Sequence, residues 1–155
     1  METVFEMSDI DYPYGVLHDQ KLNSVRCEDN NFIFSFDIEL FKDDYDDEEF
    51  YEKYKNFKHC DMVVELNNEP FNYFELVTCI NTKGKFKGLS FNRENFIDVI
   101  NNVTSATFVL CSATYSEFKI ELCVYFDKKG KYKKYAKYDM CNITLDAKKV
   151  IWNYY

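Results

Sequence analysis

Residues 118 to 126 read Phe-Lys-Ile-Glu-Leu-Cys-Val-Tyr-Phe, with an apolar side chain at every even position. Residues 32 to 40, Phe-Ile-Phe-Ser-Phe-Asp-Ile-Glu-Leu, keep the same parity. A period of two is the period of a strand, so Phe118, Ile120, Leu122, Val124 and Phe126 share one sheet face while Lys119, Glu121 and Asp127 lie on the other. Strands with one apolar and one polar face belong to antiparallel sheets laid over a core. Cys123 and Tyr125 fall on the polar face, where they are the residues best placed to offer a partner something other than charge.

The rest of the chain fits around these two strands. Leu22 to Glu28 precedes Asp29-Asn30, a dipeptide suited to a tight hairpin turn, so the first two strands are expected to pair. A helix is expected over about 46–57, where acids lead, lysines follow, and Phe50, Tyr54 and Phe57 form one stripe. Alternation returns at Cys60, Met62, Val64 and Leu66, Asn67-Asn68 offers a turn, and Phe71 to Ile80 reads as the next strand. Lys83-Gly84-Lys85 reads as a chain reversal before a brief strand through Leu89 and Phe91. Asn92 is a good N-cap for a second helix over 93–102, with Phe96, Val99, Ile100 and Val103 on one face. Ala106 to Cys111 is apolar on both faces, as in a strand covered on both sides. Lys128 to Lys131 reads as a hairpin turn, followed by a strand from Tyr132 to Leu145 and a final piece near Val150 to Trp152.

The short connections favour antiparallel neighbours over parallel crossovers. The expected fold is α+β, mainly β: one antiparallel sheet curled into a sandwich or open barrel, with short helices at about 46–57 and 93–102 and the second helix packed on the sheet or plugging one end. At 155 residues, with no repeats and no low-complexity linker, the chain is expected to form one domain, 1–155.

Composition narrows the functional classes. With 19 basic against 27 acidic residues the net charge is −8, which opposes a surface that tracks phosphates, so nucleic acid is not expected as a partner. The Met1 to Glu6 start lacks the basic and apolar regions of a secretory signal, and nothing approaches a membrane span, so a cytoplasmic location without membrane contact is expected. Six irregularly spaced cysteines with no Cys-x-x-Cys suit reduced thiols used as small hydrophobes. Aromatic residues are 19% of the chain, which suits strands and an A/T-rich coding sequence as well as it suits a binding face.

Candidate sites are few. His18-Asp19 could be a general base with its orienting carboxylate, but neighbours on an extended segment point to opposite faces and would need a bend to meet. His59-Cys60 offers two soft ligands, yet the remainder of a zinc set is missing, and Cys60 shares the inward parity of Met62 and Val64. No catalytic residue, metal or cofactor is therefore expected. The acidic run Asp43, Asp44, Asp46, Asp47, Glu48 and Glu49 reads as a helix start or as a charged surface for a basic partner, and its lack of a central glycine excludes an EF-hand loop. Six lysines from 128 to 137, interleaved with Tyr132 and Tyr135, superficially suit single strands but more commonly guard an edge strand. The acidic and basic runs together make the molecule polar in charge.

Leu17-His18-Asp19-x-x-Leu22-x-x-Val25, a polar turn, and Phe32-Ile33-Phe34-x-Phe36 together resemble the start of a group of small bacterial domains of unknown function. Some members of that group are described as immunity proteins of polymorphic toxin systems. The likeness covers about residues 16–40, and Gln20 stands where the group usually has Ser. It implies a β-rich fold and an unassigned or immunity-like role, and it transfers no catalytic residue. The resulting expectation is a non-enzymatic protein-binding module, in its specific form an immunity protein neutralising a basic toxin, with self-association as the other partnership. Its interaction surface would draw on His18, Asp19, the acidic run, Cys123 and Tyr125. The alternative is a ligand-binding or enzymatic β-barrel with a cavity near His18 and Asp19.

Overall fold

In a computed structural model of the chain, residues 1–7, 17–44, 46–68, 71–78 and 88–155 are described. They form strands β1 (Glu2–Glu6), β2 (Lys21–Glu28), β3 (Asn31–Asp37), β4 (His59–Leu66), β5 (Asn72–Val77), β6 (Gly88–Phe91), β7 (Ser105–Thr114), β8 (Glu117–Tyr125) and β9 (Met140–Tyr154), with helices α1 (Glu48–Tyr54) and α2 (Arg93–Asn101). The expected reversal at Lys83-Gly84-Lys85, together with Cys79 and Ile80, lies outside the described residues.

Six strands close a barrel in the order β4, β3, β2, β7, β8, β9 and back to β4, every pairing antiparallel. The mainly β fold with two short helices is thus as expected, and the sheet closes completely instead of stopping at an open barrel or sandwich. The alternating strands supply the interior: Phe32, Phe34 and Phe36 from β3 and Phe118, Ile120, Leu122 and Val124 from β8 are all buried in one core cluster.

Closure depends on β9, which is a single strand of 15 residues and not the two pieces expected. Its first half pairs with β8 and β5 on opposite edges, and its second half pairs with β1 and β4. β8 on one half and β4 on the other give the stagger a closed barrel requires. Buried positions along β9 switch from Cys141, Ile143, Leu145 and Ala147 to Val150, Trp152 and Tyr154. One extra residue on β9 between the Leu66–Ala147 and Glu65–Lys149 pairs causes the switch, so the Lys148-Lys149 doublet marks a bulge that keeps apolar side chains inward. Similar irregularities occur at Leu22/Ser24 in β2 and Phe108/Leu110 in β7.

Two local expectations change. β4 and β5 are joined by five residues yet do not pair; both run antiparallel to β9 along the same edge, and the connection is held there by Asn67 and Phe71 bonding to Asp146. The apolar Ala106 to Cys111 segment is not covered on both sides, since the β7 irregularity turns Leu110 outward.

β2 and β7 share only the Lys21–Thr107 pair, and past it α2 fills the gap. Asn92 caps this helix by accepting from the Asn95 N–H, and Phe96, Val99 and Ile100 are buried. Phe96 stacks on Phe74 with ring centroids 4.3 Å apart. Asn101 then acts as a substitute strand: its Oδ1 accepts from the Val25 N–H at 2.7 Å and its Nδ2 donates to the Val25 carbonyl at 2.8 Å.

Candidate functional site

The site begins at the turn before β2. Gln20 N–H donates to the Leu17 carbonyl at 2.9 Å, and Asp19 adopts φ 63, a left-handed conformation that Asp tolerates better than most residues. This is the bend that an extended segment lacks, and it brings His18 Nδ1 to 2.9 Å from Asp19 Oδ2. Both side chains remain open to solvent, at 70% and 78% exposure.

Gln20 holds the turn in place. At 6% exposure it is deeply buried, its Nε2 donates to the carbonyls of His18 at 3.2 Å and Glu39 at 3.3 Å, and its Oε1 accepts from the Glu39 N–H at 2.7 Å. One amide therefore ties the start of β2 to the chain leaving β3. On the other side, Asp19 N–H donates to the Phe108 carbonyl and Phe108 N–H donates to the Gln20 carbonyl, which fastens the turn to β7.

A cleft of about 580 Å³ opens between this turn, the end of β3 and the segment leading to α1. His18, Asp19, Gln20, Lys21, Asp37, Glu39, Phe41 and Asp44 line it, so four carboxylates and one lysine share the cleft with Phe41, which is 57% exposed. Asp37 Oδ1 accepts from Asn23 Nδ2 at 2.6 Å and lies 3.0 Å from His59 Nδ1, which places the second histidine beside one of the cleft's carboxylates. Cys60 points the opposite way into the core, where burial pushes its thiol up to about 12, so His59 and Cys60 cannot act as a ligand pair. Among the described residues no group of three His, Cys, Asp or Glu side chains is arranged to hold a metal ion, and no helix is long and apolar enough to cross a membrane.

The acidic run divides between structure and surface. Asp43 and Asp44 stand in a 3-10 turn, Lys42–Asp44, and Asp44 reaches the cleft. Asp47 caps α1 by accepting from the Phe50 N–H at 3.0 Å, while Glu48 contacts Lys42 Nζ at 2.9 Å. The hydrogen bond and charge of Lys42 hold the Glu48 carboxyl below its usual range. Asp46 and Glu49 are exposed beside them and continue the acidity away from the cleft. Helix α1 spans only seven residues, shorter than the expected 46–57 because Asp47 fixes its start and the chain turns at Lys55.

Cys123 and Tyr125 are exposed on the outer wall of β8, as their parity requires, but they are not part of the cleft. Cys123 shares a row with Thr107 and Lys21, two strand spacings or roughly 9.6 Å from the cleft's lysine. Of the expected surface residues, His18, Asp19 and Asp44 are brought together. Gln20, Lys21, Asp37, Glu39 and Phe41 join them from outside that expected set. Asp37 and Glu39 were visible as polar alternates of the 32–40 stretch, and Gln20 as a polar residue between Leu17 and Leu22, but nothing local assigned them to one cleft.

No family model, curated protein or solved structure matches this chain.

Proposed function

We propose that this chain is a small, non-enzymatic protein-binding module of the cytoplasm that engages a basic partner through the acidic cleft, in the manner of an immunity protein neutralising a cognate toxin. The supporting observation is that Asp19, Asp37, Glu39 and Asp44 line one cleft together with the exposed Phe41 ring. A lysine or arginine of the partner can place its cation over that ring while carboxylates accept charge-assisted hydrogen bonds. The net charge of −8 favours encounter with a basic surface, and the buried Gln20 holds the turn ready before binding. The stretch that resembles a group of domains of unknown function, some members of which are described as immunity proteins, includes the same turn.

Affinity purification of the chain from its native cells tests this reading. It should yield a basic protein in fixed stoichiometry that rebinds when purified, and Phe41→Ser with Asp44→Lys should abolish that rebinding. Repeated recovery of the bare chain, or of copies of itself alone, would overturn the proposal.

The contact between His18 and Asp19 favours a second reading, a ligand-binding or enzymatic barrel in which Asp19 orients His18 toward a small molecule in the cleft. His18→Gln separates the two: it abolishes ligand binding or turnover under the second reading and at most weakens the partner complex under the first, whose anchors are Phe41 and the carboxylates.

A further inference from the structure

Two to five residues can join adjacent antiparallel strands, yet β8 ends at Tyr125 and β9 begins at Met140. The intervening loop is neither the tight hairpin nor the lysine-guarded edge strand read from the sequence. Residues 128–137 carry six of the chain's 19 basic side chains, so the remaining residues sum to −14, from −8 less the loop's six charges. The loop therefore concentrates cations on an otherwise strongly acidic molecule.

Its backbone turns in steps of three. Lys133 N–H donates to the Gly130 carbonyl, Tyr135 to Tyr132, Ala136 to Lys133, and Tyr138 to Tyr135. Gly130 enters this path at φ 88, a conformation costly for any residue with a side chain. The sequence repeats with the same period, placing Lys-Tyr at 131–132, 134–135 and 137–138. Along this segment, whose central turn Lys133–Tyr135 is 3-10, the burial pattern puts the tyrosines on the inner side as one ridge and the lysines on the outer side as another. The tyrosine ridge faces the protein: Tyr135 and Tyr138 are buried, and Tyr132 donates from its hydroxyl to Asp98 of α2. Each lysine ammonium lies over the following ring, at 5.1, 5.0 and 5.2 Å from the centroid. All three lysines are exposed, and no ion pair among the described residues includes them.

We propose that Lys131, Lys134 and Lys137 form a docking ladder for an extended acidic segment of a partner protein. In the 3-10 turn Lys133–Tyr135, at the middle of the ladder, a rise of about 2.0 Å per residue makes a step of three residues about 6 Å. Every second residue of an extended chain repeats at about 6.7 Å, so carboxylates at alternate positions meet successive lysines in register. Single-stranded nucleic acid fits less well, because stacking needs open ring faces and these rings are turned inward beneath the ammonium groups. The ladder shares no residue with the acidic cleft, and its test does not depend on that cleft.

The probe is a fluorescein-labelled peptide of four Glu-Ser repeats, titrated with the full chain at low salt and followed by anisotropy. Saturable binding is expected, weaker for a peptide with the same number of glutamates at every third position. Replacing Lys131, Lys134 and Lys137 together by Gln should weaken binding about tenfold, since three charge-assisted contacts are lost. The triple Lys→Arg variant at these positions should retain it. Replacing Lys128, Lys129 and Lys133 by Gln removes the same charge and should weaken binding only about twofold, as expected for screened surface charge. Equal weakening by the two Gln triples, absence of binding, or tighter binding of oligouridylate than of the peptide would overturn the proposal. Unchanged far-UV circular dichroism verifies that each variant is folded.

Discussion

Gln20 gives the sharpest test of how the fold positions its cleft. Gln20→Met keeps most of the side-chain volume and removes all three hydrogen bonds, two to carbonyls and one from the Glu39 N–H. At about 1 kcal/mol net for each bond, the loss comes to about 3 kcal/mol, and the stranded Glu39 N–H keeps it from being smaller. For a chain of this length that is a fall in Tm of about 6–12 °C. Urea unfolding at constant m-value measures the same quantity. Gln20→Glu adds a directional check: burial and the carbonyls of His18 and Glu39 disfavour a carboxylate there, so its folded-state pKa lies above the unfolded value of about 4.3. The folded variant then holds its proton more tightly than the unfolded one, and its deficit relative to the parent should shrink as pH falls through that raised value. A cost below about 1 kcal/mol for Gln20→Met, or no recovery of Gln20→Glu on acidification, would refute the reasoning.

Asn101→Ala removes both bonds to Val25 at the β2–β7 gap and should cost about 2 kcal/mol in urea unfolding, whereas Asn95→Ala on the exposed side of the same helix should change stability by less than about 0.5 kcal/mol. In timed alkylation at pH 8 read by mass spectrometry, Cys123 should be modified first among the described cysteines; Cys60 and Cys141, whose thiols burial pushes up, should react only in denaturant. At the β9 bulge, hydrogen bonds from Lys149 and Lys148 hold the Glu65 carboxyl below its usual 4.5. Because a depressed carboxyl stabilises above its unfolded pKa and loses that contribution as pH falls through the folded one, Glu65→Gln should cost at most about 1 kcal/mol at pH 7 and nothing at pH 2 in paired urea titrations.

The parts of the fold legible in the sequence were those set by neighbours along the chain. Alternation in 32–40 and 118–126 assigned each side chain to its face, Asp29-Asn30 marked the hairpin between β2 and β3, and Asn92 marked the start of α2. What stayed hidden depends on partners distant in sequence. The unity of β9 was obscured by the parity switch at Lys148-Lys149, because a bulge looks like the end of one pattern and the start of another. The collinear placement of β4 and β5 needs a partner strand long enough for both, which only the assembled β9 supplies. The cleft was half visible for the same reason. The left-handed Asp19 brings His18 and Asp19 together, and a backbone angle of that kind is chosen by the bonds that Gln20 makes to a segment 19 residues away.

The position of β9 in the chain constrains how this barrel can be born. It bonds to β1, β4, β5 and β8, and all four leave the ribosome before it does. Until then the nascent chain has at most an open sheet with the bonding edges of β4 and β8 unoccupied, the kind of exposed edge that recruits other chains. The yield of folded protein should therefore depend less on the stability of the finished barrel than on how quickly β9 follows the strands it bonds to. Slow codons placed just before β9 should favour aggregation, while the same codons placed before β2 should do less harm.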